Sequence, residues 1–139
     1  MSTYITDDRE FALISGYRAA MLTPDVSNIT GFISMEQMRD SLKEWDVKGI
    51  ARDGKTIGMA ISKDGECHFC IEPEYQGRWL TKSLLKEIDK KIDCRRTTVN
   101  IDNKAKQRFV ERIGFKMIDA IGDNIVYQLD KLKYAEHRS

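Results

Sequence analysis

The segment at residues 66–92 constrains the fold of this chain most, because it predicts a buried strand, a loop and an amphipathic helix in direct succession. An apolar run at residues 66–71, with a glycine before it and a proline after it, is typical of a buried strand. The helical pattern covers residues 79–92, where apolar residues recur at Leu80, Leu84, Leu85, Ile88 and Ile92. The loop between them contains Gly77 and Arg78 and ends at a helix N-terminus. Free N–H groups and the helix dipole can hold a phosphate there.

The rest of the chain shows further helical and strand patterns on both sides of this segment. The predicted elements are a short strand at 4–6, helices at 8–21 and 34–45, a hairpin of 47–52 and 56–62, a strand at 97–101, a helix at 103–113, and a closing hairpin of 115–120 and 124–129. Ser34 and Gln37 have the spacing of a helix cap, and Asp53-Gly54 is typical of a hairpin turn. This order predicts an α/β fold of the α+β kind, with a largely antiparallel sheet.

The composition describes a globular protein with little net charge. The 139 residues are 41% hydrophobic and 32% charged, with 23 basic and 22 acidic residues. We expect one domain over residues 1–139, and no electrostatic attraction to nucleic acid or to anionic membranes. Residues 1–8 lack the pattern of a secretory leader, no apolar run has membrane-spanning length, and the three cysteines are an odd number. A reducing cytoplasm is therefore expected.

Two short motifs carry a resemblance to a known family. The loop Gln76-Gly77-Arg78-Trp79-Leu80-Thr81 is similar to the Q/R-x-x-G-x-G/A motif of the GNAT superfamily of N-acetyltransferases. Asn103, a short helix and the closing pair Gly114-Phe115 are similar to a later motif of the same superfamily. Trp79 and Thr81 depart from the first motif, since they stand at its two glycine positions. The resemblance implies the GNAT acyl-CoA N-acyltransferase fold, a central mixed, mostly antiparallel sheet flanked by about four helices.

The resemblance also implies acetyl-coenzyme A as co-substrate. The loop amides would hold its pyrophosphate, the backbone of the preceding strand would face its pantetheine arm, and Asn103 would lie near the cofactor while capping its helix. The implied cofactor-binding residues are Phe69, Cys70, Ile71, Gln76, Gly77, Arg78, Trp79, Leu80, Thr81 and Asn103. If the loop holds phosphate, the Trp79 indole must point away from it, into the interface of helix and sheet. The alternative is that the indole fills the phosphate site.

Candidate catalytic residues follow from the same resemblance. Some members use a glutamate on this strand as general base, and Glu66 lies at the corresponding place. His68 is a second candidate, because imidazole titrates near neutrality. The alternatives are an exposed strand start for Glu66 and a surface partner for His68. Many members have a tyrosine that protonates the departing thiolate where this chain has Val110. Tyr127 is a candidate substitute, or else an aromatic residue of the core or surface.

Cys67 and Cys70 have the spacing of some zinc and redox sites. On a strand, residues three apart point to opposite faces, so these two thiols diverge and no metal site is expected. We expect the cysteines to behave as small buried hydrophobic residues.

Two functions are compatible with these residues. The first is an acetyltransferase that moves an acetyl group from acetyl-coenzyme A to a primary amine, in a small molecule or a protein. The resemblance implies that residues 23–33 and the closing hairpin select its acceptor. The second is a catalytically degenerate GNAT-like protein with a binding or structural role. Trp79, Thr81 and Val110 favour the second, as does a weaker similarity to GNAT-like internal virion proteins of T7-type phages. The acetyltransferase remains the leading hypothesis, because the cofactor cleft is the most persistent feature of the fold that the resemblance implies. Nucleic acid and membrane partners are not expected, and a homodimer is an open alternative.

Overall fold

The structure is a computed structural model that describes residues 3–22 and 34–129. Residues 23–33, which the resemblance implies select the acceptor, lie outside the described residues. The elements in chain order are β1 (Thr3–Thr6), α1 (Arg9–Leu22), α2 (Met35–Ser41), β2 (Asp46–Arg52), β3 (Lys55–Lys63), β4 (Glu66–Ile71), a 3-10 turn (Pro73–Tyr75), α3 (Lys82–Lys91), β5 (Arg96–Asn100), α4 (Lys104–Arg112), β6 (Phe115–Ile121) and β7 (Asn124–Leu129).

The seven strands form one sheet in the order β1-β2-β3-β4-β5-β7-β6. Every neighbouring pair is antiparallel except β4 and β5, which are parallel because α3 returns the chain to the edge where β4 began. The predicted fold class, a mixed and mostly antiparallel sheet with about four flanking helices, is confirmed.

Local signals place most element boundaries where the sequence predicts them. Ser34 caps α2 by accepting a hydrogen bond from the Gln37 N–H at 3.2 Å, and Asp53 and Gly54 turn the first hairpin with φ values of 53° and 82°. The predicted start of the central helix at residue 79 is wrong. The helix begins at Lys82, after Thr81 caps it by accepting from the Leu84 N–H at 3.1 Å. The two residues before Thr81 belong to the loop.

The two faces of the sheet carry separate apolar clusters. One includes Leu84 and Ile88 of α3 and Val110 of α4, and the other includes Leu13 of α1 and Met38 of α2. Strand β4 contributes to both clusters, because its successive side chains alternate between the faces.

Helix α1 contacts the sheet through small residues. Ala12, Gly16 and Ala19 are buried, whereas Phe11 and Met21 are about 60% exposed. The helix itself was predicted, but the face with the larger apolar residues is not the buried one. A Cβ on Gly16 would lie only 2.6 Å from Met59, so the helix approaches the sheet too closely for larger side chains there.

Cys67 and Cys94 form a disulfide that joins β4 to the segment between α3 and β5. Cys70 is a free thiol, and it lies buried in the other apolar cluster. The predicted divergence of Cys67 and Cys70 is therefore confirmed. The expectation that Cys67 and Cys70 act as unpaired hydrophobic residues is wrong for Cys67, because it is bonded to Cys94. Their pairing depends on the return of the chain through α3, which spacing along the sequence does not reveal.

Candidate active site

Strands β4 and β5 diverge after their first residues. Their register contains one pair, Glu66 with Arg96. Next to that pair, the Gly65 carbonyl accepts hydrogen bonds from the N–H groups of Arg95 and Arg96, each at 2.8 Å. The two strands are therefore held together at one end and leave a gap toward Ile71.

A cavity of about 370 Å³ lies between β4, β5, α4 and the loop that precedes α3. It contacts the face of β4 that carries Cys67, Phe69 and Ile71. The lining residues of the described chain are Cys67, Phe69, Ile71, Gln76, Gly77, Trp79, Thr97, Asn103, Ala105, Lys106, Phe109, Val110, Arg112, Ile113 and Phe115.

The loop at residues 76–81 borders one end of this cavity through Gln76, Gly77 and Trp79. The Gln76 side chain ties the loop to β4 by donating to the Ile71 carbonyl at 3.1 Å, and Gly77 turns the backbone with a φ of 85°. Within the described residues, several N–H groups of the loop and the first turn of α3 have no hydrogen-bond partner, those of Gly77, Trp79, Leu80, Lys82 and Ser83. Such donors at a helix start are suited to an anion.

Trp79 points into the molecule. Its side chain is 6% exposed, and its ring centroid lies 5.6 Å from that of Phe69 and 5.5 Å from that of Phe109. Thr3 Oγ1 donates to the Trp79 carbonyl at 2.5 Å, which fixes the backbone at this position. Neither Trp79 nor Thr81 has a positive φ, so the backbone here does not require glycine. The indole thus packs between sheet and helix and forms one wall of the cavity.

Asn103 has the predicted capping role. Its side chain accepts a hydrogen bond from the Lys106 N–H at 3.1 Å and starts α4, and it lines the cavity. One cap therefore positions the first turn of α4 against the gap between the strands.

Glu66 and His68 lie at the closed end of the gap, on the opposite face of β4 from the lining side chains. Glu66 Oε2 is 2.7 Å from His68 Nε2, and this hydrogen bond holds the pKa of the Glu66 carboxyl below its usual value. A carboxylate with a lowered pKa is a weaker base. Neither residue lines the cavity in the described chain, and the catalytic role of Glu66 stays a prediction.

Tyr127 is buried on β7 and donates from its hydroxyl to Glu111 Oε2 at 2.8 Å. Burial and the bond to Glu111 raise the pKa of Tyr127 to about 12. Its hydroxyl is directed to a carboxylate of α4, and Tyr127 is not among the described lining residues. Its role as a general acid stays a prediction that this geometry does not favour.

The cavity brings together six of the implied cofactor residues and leaves four outside its lining. Phe69, Ile71, Gln76, Gly77, Trp79 and Asn103 line it, whereas Cys70, Arg78, Leu80 and Thr81 do not. Sequence reasoning missed Lys106 and Phe109. The signal in the sequence was their position three and six residues after the predicted cap at Asn103. If the cap lies near the cofactor, the first turns of the helix that it starts lie near the cofactor as well.

The described residues contain neither a metal-binding cluster nor a membrane-spanning helix. No group of three or more His, Cys, Asp and Glu side chains in residues 3–22 and 34–129 could hold a metal ion. In the same residues, every helix is too short or too polar to cross a membrane.

Comparison with protein families gives one match, the acetyltransferase (GNAT) domain, over residues 18–125. No curated protein sequence matches the chain.

Solved structures resemble the fold over nearly the whole chain. An acetyltransferase from Thermus thermophilus has a TM-score of 0.71 at 17% identity, covering 91% of this chain and 96% of that one. The PaiA N-acetyltransferase of Thermoplasma acidophilum, solved with coenzyme A, has a TM-score of 0.64 at 18% identity, covering 94% and 99%. YncA of Salmonella typhimurium, a putative acetyltransferase solved with acetyl-CoA, has a TM-score of 0.59 at 19% identity, covering 94% and 96%.

Proposed function

The chain belongs to the GNAT acetyltransferase family, and we propose that it transfers the acetyl group of acetyl-coenzyme A to a primary amine. The resemblance found in the sequence and the N-acetyltransferase class are thereby confirmed. The observation that carries the proposal is the cavity that starts at unpartnered loop amides and continues to the gap between β4 and β5. Acetyl-coenzyme A has a diphosphate that suits the loop amides, and a long neutral arm ending in a thioester that suits the gap between the strands.

The loop at residues 76–81 is the proposed site of the pyrophosphate. Its free N–H groups and the N-terminus of α3 supply hydrogen bonds and a positive partial charge. Arg78 is exposed and donates to the Glu74 carbonyl at 2.8 Å, so its guanidinium lies beside the loop as an outer cation. Arg112 lines the cavity and is also exposed, which supplies a second cation for the phosphates.

The pantetheine arm and the thioester are proposed to lie along β4 at residues 69–71. Strand β5 leaves this edge of β4 unpaired beyond Glu66, so a main-chain group there can meet the cofactor as another strand would. An N–H donor directed at the thioester carbonyl would stabilise the oxyanion that forms during attack. Holding the amine against the carbonyl carbon would supply most of the remaining acceleration.

Glu66 is not required as a strong base in this proposal. Its hydrogen bond with His68 favours the ionised carboxylate, and its side chain shares a face of β4 with His68 rather than with the cavity lining. The amine is therefore proposed to lose its proton to solvent or through a water.

Several finer expectations stay predictions. They are a single domain over residues 1–139, a cytoplasmic location, a homodimer, and the likeness to internal virion proteins of T7-type phages. The disulfide between Cys67 and Cys94 counts against the cytoplasmic location, because disulfides are rare in reducing compartments.

Binding of acetyl-coenzyme A is the direct test. A ligand that binds only the native state at a hundred times its Kd stabilises that state by about 2.7 kcal/mol, so the melting temperature should rise clearly with millimolar cofactor. Release of free coenzyme A with a panel of primary amines then measures turnover. A folded protein that shows neither a shift nor turnover would contradict the proposal and favour the degenerate alternative.

Two glycines provide a matched control for the loop. Gly77 and Gly54 have φ values of 85° and 82°, and an added Cβ would meet no heavy atom within 4 Å at either position. Gly77→Ala and Gly54→Ala should therefore lose similar stability, about 1–2 kcal/mol from backbone strain. Only Gly77→Ala should weaken acetyl-coenzyme A binding, by about tenfold if one phosphate contact is lost. Equal affinities in the two variants would move the phosphate site away from this loop.

A further inference from the structure

Lys106 places a cation inside the cavity. It lies in the first turn of α4, where its N–H is capped by Asn103. Its side chain is partly buried and lines the cavity together with Val110, which is one turn further along the same face of the helix.

The Lys106 ammonium has no hydrogen bond or ion pair with any residue in the part of the chain that the structure describes. Burial lowers the pKa of the Lys106 ammonium, and Cys70 opposes this only in part. A lysine in the first turn also faces the positive end of the helix dipole. Burial, the helix dipole and the lack of a partner within residues 3–22 and 34–129 all disfavour a charge at this position, while the cavity remains open to a ligand that could neutralise it.

The cavity offers few groups that can give up a proton. Of the described lining residues, Lys106 and Arg112 carry a formal positive charge. Arginine does not deprotonate in proteins, and the sulfur of Cys67 is held in the bond to Cys94. Val110 is apolar, and the Tyr127 hydroxyl is committed to Glu111. Lys106 is thus the titratable proton donor of this lining.

We propose that Lys106 protonates the sulfur of coenzyme A as it leaves the acetyl group, an inference that rests on the acetyltransferase function proposed above. The amine nitrogen forms a bond to the thioester carbonyl carbon, and the C–S bond then breaks with its electron pair moving to sulfur. A proton passes from Lys106 Nζ to that sulfur, which gives the free thiol of coenzyme A and a neutral lysine. The surplus proton on the new amide nitrogen is released to solvent, from which Lys106 regains one.

The test compares Lys106→Met with Lys104→Met. Lys104 is the first residue of the same helix and does not line the cavity, so it controls for the loss of one lysine from α4. Lys106→Met should lower kcat by about 10²–10⁴-fold, the usual contribution of a general acid, while Lys104→Met leaves it unchanged. Lys106→Met should also raise the melting temperature, because it removes a buried charge that has no partner among the described residues.

A spectroscopic measurement separates proton transfer from a structural role. The ultraviolet absorbance of the thiolate reports the pKa of the thiol of bound coenzyme A, with desulfo-coenzyme A as the blank. This pKa should be lower in the wild type than in Lys106→Met, because a nearby ammonium stabilises the thiolate. Lys106→Arg should keep the lowered thiol pKa but not restore turnover, since its charge cannot supply the proton.

Three results would overturn the proposal. The first is wild-type turnover in Lys106→Met, and the second is full turnover in Lys106→Arg. The third is that Lys106→Met loses affinity equally for coenzyme A and desulfo-coenzyme A while the pKa of the bound thiol is unchanged. The last result would assign Lys106 to a phosphate. Failure of the proposed function is distinguishable from all three, because the wild-type protein would then bind no acetyl-coenzyme A, or would bind it and release no coenzyme A with any primary amine.

Discussion

Replacing Trp79 with glycine tests whether this departure from the family motif is a structural adaptation or a blocked cofactor site. The indole is 6% exposed and contacts the rings of Phe69 and Phe109. Truncation of a buried tryptophan costs about 3–5 kcal/mol, and this range already contains the two ring contacts, each of about 0.5–1.5 kcal/mol. Because Trp79 borders an existing cavity, one side of its ring has fewer contacts to lose, and we expect a value near the lower limit.

Urea unfolding and calorimetric titration with acetyl-coenzyme A measure the two consequences separately. The variant Trp79→Gly should be about 3–4 kcal/mol less stable than the wild type, with a melting temperature roughly 10–15 °C lower. Its affinity for the cofactor should change little, because the indole points between sheet and helix rather than at the loop amides. Trp45→Gly is the matched control, since Trp45 is half-buried against the other apolar cluster and should lose less stability.

The opposite pattern would refute this reasoning. If Trp79→Gly is as stable as the wild type and binds acetyl-coenzyme A more than tenfold tighter, the indole occupies the phosphate site in solution. If Trp79→Gly does not fold at the assay temperature, Trp79→Phe gives the same distinction at a smaller cost. It should keep most of the stability and leave the affinity unchanged, whereas a blocked site would gain affinity with the smaller ring.

Three further predictions concern residues around the site. Cys94→Ser should lower the stability by about 3–4 kcal/mol in oxidising buffer and by little in reducing buffer, because the Cys67–Cys94 bond closes a loop with a sequence separation of 27. Equal losses in both buffers would show that the bond does not form. Tyr127→Phe and Glu66→Gln should each reduce kcat by less than about tenfold, well below the usual effect of a catalytic acid or base. Because the pKa of Tyr127 is raised from 10.0 to about 12, the wild type should lose stability between these pH values, where the unfolded chain ionises first, and Tyr127→Phe should lose less; identical pH profiles would contradict this.

Local interactions explain why much of the fold could be predicted from the sequence. The cap at Ser34, the turn at Asp53-Gly54 and the cap at Asn103 each join residues no more than a few positions apart. Alternation along β4 likewise predicted that Cys67 and Cys70 diverge, because side chains on a strand have a period of two. The candidate phosphate loop was found for the same reason, since a strand, a glycine turn and a helix start are adjacent in the chain.

The tertiary structure alone decided the features that depend on contacts between distant segments. These are the pairing of Cys67 with Cys94, the burial of the small-residue face of α1, and the presence of Lys106 in the cavity wall. The amphipathic pattern of a helix reports its own apolar residues but not how closely a sheet approaches it, so the pattern does not reveal that Gly16 rather than Phe11 faces the sheet. Lys106 likewise looks like a solvent-exposed lysine in the sequence. It becomes a candidate acid only because β5 diverges from β4 and leaves a cavity beneath α4, and that separation is set by the packing of the whole sheet.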